Sequence, residues 1–163
     1  MKLPVSLPAA LLLSIGIAAA VDPPPFKEGL WTVHSLSIDN PGARSRENTA
    51  TICRNHAYDQ YVRSVARTKQ GCTTVSEGFQ GGQYVIQTHC SVNGTDIQSR
   101  GVTTFHGDAW AHSESHATFT PAMDGTTETT MTQDQKYLGN CPAGQQPGDM
   151  TDSHGAVKHL WKH

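Results

Sequence analysis

The chain has 163 residues, with 12 Lys and Arg against 14 Asp and Glu, a formal net charge of −2 with neutral His. That length bounds it to about one domain, and the absence of any Lys/Arg run excludes an electrostatic footprint for nucleic acid. Only 36% of residues are hydrophobic while Thr, Ser and Gly abound, which suits a thin, half-wet sheet with disulfide support.

Residues 1–20 read as a cleavable signal peptide. Lys2 gives a weakly positive start, LPAALLLSIGIAAA (Leu7 to Ala20) is the apolar run, and Ala18-Ala19-Ala20 offers small side chains to a signal peptidase. The run is too short to cross a bilayer as a mature helix. No Cys follows it to carry a lipid anchor. The expected mature chain starts near Val21, carries no membrane span and is periplasmic or secreted. Losing Lys2 takes its net charge from −2 to about −3.

Asp22-Pro23-Pro24-Pro25 is a stiff extended lead-in. FKEGLWTVHSLSI alternates enough to form a first strand, and Asn40-Pro41-Gly42 is a turn. Residues 46–53 form a second strand. HAYDQYVRSVAR is the one good helix, with Tyr58, Tyr61, Val62 and Val65 at i, i+3, i+4 and i+7 as a stripe that covers part of a sheet. Beyond it, Phe79-Gln80-Gly81-Gly82, Asn93-Gly94, Gly107-Asp108 and Asp124-Gly125 are hairpin turns. They separate strands at 72–77, 83–92, 95–106, 109–120 and 126–138. Asn93-Gly94-Thr95 is formally a glycosylation sequon, but Asn-Gly is also the favoured hairpin pair and is read as that. The fold class is mainly β: a curved, half-barrel-like antiparallel meander of six to seven strands with one α-helix packed on it. Residues 21–141 make a single domain. Residues 142–163 form a loose C-terminal tail, with a short helix at AVKHLWKH.

The four cysteines are Cys53, Cys72, Cys90 and Cys141. In an exported chain an even count reads as two disulfides, and no C-x-x-C pair supports a zinc ribbon. A first hairpin centred on Gly81 sets Cys72 opposite Cys90, Thr74 opposite Thr88 and Ser76 opposite Ile86. That register favours Cys72–Cys90, and Cys53–Cys141 follows by elimination.

The same arithmetic governs the stretch HGDAWAHSESHATF at 106–119, whose alternate residues include His112, Glu114 and His116. A two-residue turn at Gly107-Asp108 pairs Phe105 with Trp110. A two-residue turn at Asp124-Gly125 then pairs His116 with Gln133 and His112 with Tyr137. The histidine row would share a face with Tyr84, Phe105, Trp110 and Tyr137, a candidate cleft for an unknown small molecule or envelope protein. Ala111, Ala117 and Phe119 would lie on the other face. A three-residue turn instead flips the strand, sets Glu114 opposite Arg100 and turns the row to water.

Four elements taken together are similar to a family of bacterial exported proteins catalogued as domain of unknown function 3617. They are Gly29-Leu30-Trp31 in the first strand with the Cys-bearing second strand, the hairpin with Cys at both ends, Phe105-x-Gly107-Asp108-x-Trp110, and the closing Tyr137-Leu138-Gly139-Asn140-Cys141-Pro142. The similarity spans roughly residues 26–145 and implies a small extracytoplasmic domain with no assigned activity. The histidine row and the tail after Cys141 carry nothing over from that family.

No H-E-x-x-H, G-x-S-x-G, Walker loop or G-x-G-x-x-G occurs, and nine histidines permit triads on paper without pointing to one. His112, Glu114 and His116 form a donor set that zinc accepts, with His34 or His89 as a fourth ligand. Same-face residues lie about 6.5–7 Å apart along a strand, so such a site needs converging side chains. The alternative is a polar face titrating near neutral pH. The residues favour a non-enzymatic binding module, with a metal-binding protein as the other reading.

Overall fold

Turn chemistry and alternation produce seven long strands and one helix in a computed structural model that describes residues 22–161. The expected leader lies outside the described residues. The strands are β1 (Gly29–Asn40), β2 (Arg44–Arg54), β3 (Cys72–Gln80), β4 (Gln83–Val92), β5 (Thr95–His106), β6 (Trp110–Met123) and β7 (Thr126–Gly139), with α1 (His56–Arg67) between β2 and β3. Two short strands, β8 (Asp149–Asp152) and β9 (Val157–His159), complete an open antiparallel sheet of order β3-β4-β5-β6-β7-β1-β2-β8-β9.

The sheet thus has nine strands rather than six to seven. The difference lies in the tail, which forms strands where a loose segment and a terminal helix were expected. Without it, β2 would present an unpaired edge, and β8 covers Ala50, Thr51 and Ile52 of that edge. Three- and four-residue strands are too short to show a period in sequence. Beyond β9, Trp161 packs its ring on Tyr58 and Tyr61 of α1.

Both expected disulfides form. Cys72–Cys90 clips β3 to β4, and Cys53–Cys141 ties the end of β2 to the segment after β7. In the chain-entropy account, loops of 18 and 88 residues correspond to roughly 3 and 4–5 kcal/mol. That matters because few large side chains are fully buried; among the described residues Trp31 and Cys53 lead. Trp31 is held by Phe26 edge-on at 4.8 Å, by Tyr137 at 5.8 Å and by an Nε1–H bond to the Lys27 carbonyl at 2.8 Å. Gly29 opens β1 at φ +139°, where a Cβ would overlap the Gly139 carbonyl oxygen.

The helix occupies the span expected of it. The Asn55 side chain caps it by accepting from the Tyr58 amide at 2.8 Å. Its apolar stripe is only partly used: Tyr58 is buried, whereas Val62 and Val65 remain 43% and 48% exposed.

Turn lengths decide the faces. Asn93-Gly94 is the expected hairpin turn, two residues long, and it pairs Tyr84 with Thr103, Ile86 with Gly101 and Cys90 with Ile97. The first hairpin turns at Gly81-Gly82, and a bulge at Val75 shifts the register back. Cys72 and Thr74 therefore meet their expected partners, but Ile86 faces Glu77 rather than Ser76. At the next hairpin the turn has three residues: His106 pairs with Trp110 and Phe105 with Ala111. Strand β6 is flipped relative to the two-residue expectation, and Arg100 lies opposite His116, not Glu114. Between Thr118 and Met123 the β6–β7 ladder slips again, so that His112 faces Asp134 and His116 faces Thr130 instead of Tyr137 and Gln133.

Candidate functional site: a cleft between the helix and the sheet

On one face of the sheet, the lead-in segment and α1 enclose a cleft of about 450 Å³ lined by residues of all seven long strands. Seven strands side by side span about 29 Å, while a 12-residue helix is about 18 Å long. The sheet must therefore curve for one helix to roof a space that every strand borders.

Apolar walls come from Phe26 of the lead-in, Val33, Ile52, Ile86 and Phe105 of the sheet, and Val62 of the helix. The floor is polar but satisfied from within. Thr103 and Ser113 share a hydroxyl hydrogen bond at 2.9 Å, Thr88 and Ser99 another at 2.7 Å, and the Gln135 amide donates to Gln133 at 2.9 Å.

The charged residues at the cleft are mostly committed. Arg54, the last residue of β2, donates through Nε and Nη2 to the Asp59 Oδ1 at 2.8 Å and through Nη1 to the Gln135 Oε1 at 2.6 Å. Its guanidinium also stacks over the rings of Phe26 and Trp31, at 4.3 and 5.3 Å. Burial pushes the Asp59 carboxyl above its ordinary range, and the Arg54 charge and hydrogen bond oppose that rise. At the other end of the helix, Arg67 donates to Glu77 at 2.5 Å and to Asp22 at 3.1 Å. Burial, then the nearby Glu77 charge, raises the Tyr84 hydroxyl pKa.

Of the aromatics expected in a cleft, Tyr84 and Phe105 line it. Tyr137 is on the same face but packs against Trp31 and under the Lys27 ammonium, 4.7 Å from its ring. Trp110 is on the opposite face, because β6 is flipped. There its ring stacks on His106 at 3.8 Å. Ala111 accordingly replaces it on the cleft side, fully buried against Phe105.

The histidine row is also on the outer face, where each member pairs with a carboxylate. His112 bonds Asp134 at 3.0 Å through Nδ1 and approaches Glu114 at 3.5 Å through Nε2. His116 meets Glu128 at 2.9 Å. His34 engages Thr49 and Glu47, and His89 pairs with Asp96. Among the described residues, no three His, Cys, Asp or Glu side chains converge on a point where an ion could sit. The Asp134 hydrogen bond raises the His112 pKa. That same bond lowers the Asp134 pKa, with a smaller effect from the nearby Trp110 indole N–H.

A family model described as "Protein of unknown function (DUF3617)" matches residues 26–141. The chain belongs to the DUF3617 family. Comparison with curated proteins found no match. The matched span runs from the start of the aromatic cluster at Phe26 to the second disulfide at Cys141, so it contains strands β1 to β7, the helix and all of the cleft lining except Pro23 and Pro24.

Sequence reasoning missed the Arg54–Asp59 pair, Arg63 and the Gln133–Gln135 floor, all of which border the cleft. Arg54 sits at a strand end and Asp59 lies five residues on, beyond a cap, which is no fixed-spacing motif. One signal was present: Asp59 directly follows the innermost stripe residue, Tyr58, where a carboxylate must find a partner or stay neutral.

Proposed function

We propose that the chain is an exported, non-enzymatic binding module of the cell envelope that holds a small, largely apolar molecule between α1 and the sheet. The observation that carries this reading is the unsealed helix. Val62 borders the cleft yet stays 43% exposed, so the apolar stripe of α1 stands off from the sheet. The volume falls within the range of about 300–1,000 Å³ common to small-molecule sites. Arg54, Asp59, Arg67 and Glu77 are tied into pairs, which favours a rigid container over a reacting centre. Export is supported by the leader pattern and by two disulfides, which persist in oxidising compartments.

The test is uptake of N-phenyl-1-naphthylamine, a neutral dye that brightens in apolar surroundings. Ala66 is exposed on α1 and borders the cleft, so Ala66→Trp inserts a plug while leaving the fold intact. Saturable one-to-one uptake by the wild type, reduced at least about tenfold in Ala66→Trp, is expected. Equal uptake by both proteins, or no saturation, removes the cleft as the site.

A further inference from the structure

We infer that the cleft selects an amphiphile with a single anionic head, of the fatty-acid class, and that Arg63 is the side chain that receives the head. This rests on the reading of the cleft as a small-molecule site and adds the chemistry of what enters it.

Three guanidinium groups and two carboxylates border the cleft: Arg54, Arg63 and Arg67 against Asp59 and Glu77. Arg54 is spent on Asp59 and Gln135, and Arg67 on Glu77 and Asp22. Among the described residues Arg63 makes no side-chain hydrogen bond or ion pair, although its charge is felt at Asp59. It is half-buried on the helix wall beside Val62. The cleft therefore keeps one guanidinium with no hydrogen-bonded carboxylate of its own, set against apolar walls. A lone guanidinium in a partly dry setting favours a carboxylate, which it can grip with two parallel N–H bonds.

The rest of the lining argues against other ligand classes. The floor hydroxyls and amides already satisfy one another, so nothing there calls for a polyhydroxylated ligand. A cationic amphiphile would meet Arg63, while the carboxylates lining the cleft, Asp59 and Glu77, are already bonded to Arg54 and Arg67. Val33, Ile52, Ile86 and Phe105 supply the surface an alkyl chain would cover.

The experiment is calorimetric titration of the full mature protein with dodecanoate, dodecanol and dodecylammonium, each below its micellar concentration. Wild type, Arg63→Gln and Arg63→Lys are compared, and circular dichroism checks that each is folded. Dodecanoate should bind one-to-one, about 10- to 100-fold more tightly than dodecanol. Arg63→Gln should erase most of that advantage and leave dodecanol within about twofold of its wild-type affinity, while Arg63→Lys keeps part of it. Equal affinity for acid and alcohol, tighter binding of the ammonium, or an advantage that survives Arg63→Gln would overturn the inference. If the neutral dye binds and no alkyl probe does, only the inference falls. If neither binds, the cleft reading falls with it.

Discussion

Two ion pairs of nearly equal length lie on opposite faces of the same sheet. Arg54–Asp59, on the cleft face, has a 2.8 Å contact and side chains 12% and 5% exposed; His116–Glu128, on the outer face, has a 2.9 Å contact with 50% and 42% exposure. Distance does not separate them; solvent does. Removing one member of the inner pair strands a charge in a low-dielectric setting, whereas water replaces either member of the outer pair. The inner face uses pairing to hold a shape, with Arg54 joining β2, α1, β7 and the lead-in ring of Phe26. The outer face is a run of histidine–carboxylate pairs that any one strand could lose.

The strongest way to break this division is to reverse β6. Deleting Ala111 keeps the three-residue turn and the His106–Trp110 pair but sets His112 opposite Phe105, which drives His112, Glu114 and His116 toward the cleft side, where Ala111 and Ser113 now sit. Several half-solvated charges cannot take the place of a buried Ala beside Phe105. A loss of more than about 4 kcal/mol, or of cooperative unfolding, is expected in urea titration. Ala109→Gly keeps the turn length and should cost no more than about 1 kcal/mol. A deletion variant within about 1 kcal/mol of wild type would show that the β5–β6 register does not fix the face of β6.

A smaller but still large effect should follow from Arg54→Met. It preserves most of the apolar bulk against Phe26 and Trp31 but leaves Asp59 buried and unpaired. The expected cost is about 3–5 kcal/mol at neutral pH, part of which Asp59→Asn in the same chain should restore. Equal stability of the single and double variants would mean that packing, not charge, dominates at this corner.

Why one face was legible in the sequence and the other was not comes down to parity. Asn93-Gly94 is a turn pair with one preferred geometry, and the β4–β5 register followed from it. Gly81-Gly82 turned one residue later than a hairpin centred on Gly81, yet the Val75 bulge cancelled the error by the time the strand reached Cys72. Ala109 carries no turn signature, so the third residue of the Gly107 turn left no mark, and one residue inverts every side chain of β6. The three-residue slip between Thr118 and Met123 is odd as well, so it inverts the faces a second time. Tyr137 therefore shares the cleft face with Phe105 as expected, and β6 alone is reversed. Tyr84 and Phe105 were readable as residues of one face because the Asn93-Gly94 turn alone joins their strands. Trp110 and the histidines were misplaced because their strand follows the hidden third residue of the Gly107 turn. Arg54, Asp59 and Arg63 look like ordinary surface charge in sequence; only the curvature of the sheet around α1 brings them to one cleft.

The finest test of the comparison concerns His112 on the outer face. Its hydrogen bond to Asp134 holds its pKa above the ordinary 6.5, aided by Glu114 and opposed by partial desolvation. Asp134 is held below its ordinary 3.8 by that same bond. A raised histidine contributes stability that is complete below its unfolded value and fades as pH climbs through the folded one. A depressed carboxylate contributes above its unfolded value and loses it as pH falls through the folded one. Together the pair supports the fold most between about pH 4 and 6.5, losing support on the acid side as Asp134 takes up a proton and on the alkaline side as His112 gives one up. At 34% and 38% side-chain exposure, solvent screening keeps the effect small. Proton NMR of the His112 ring should therefore give a midpoint above that of a free histidine, moving back toward it in Asp134→Asn. The stability gap between wild type and that variant should narrow as pH rises from about 5.5 to 8.5. An unmoved midpoint would mean that the outer-face pair does not persist in solution. A gap wider than about 2 kcal/mol would mean that this face, like the inner one, is built on a desolvated charge pair.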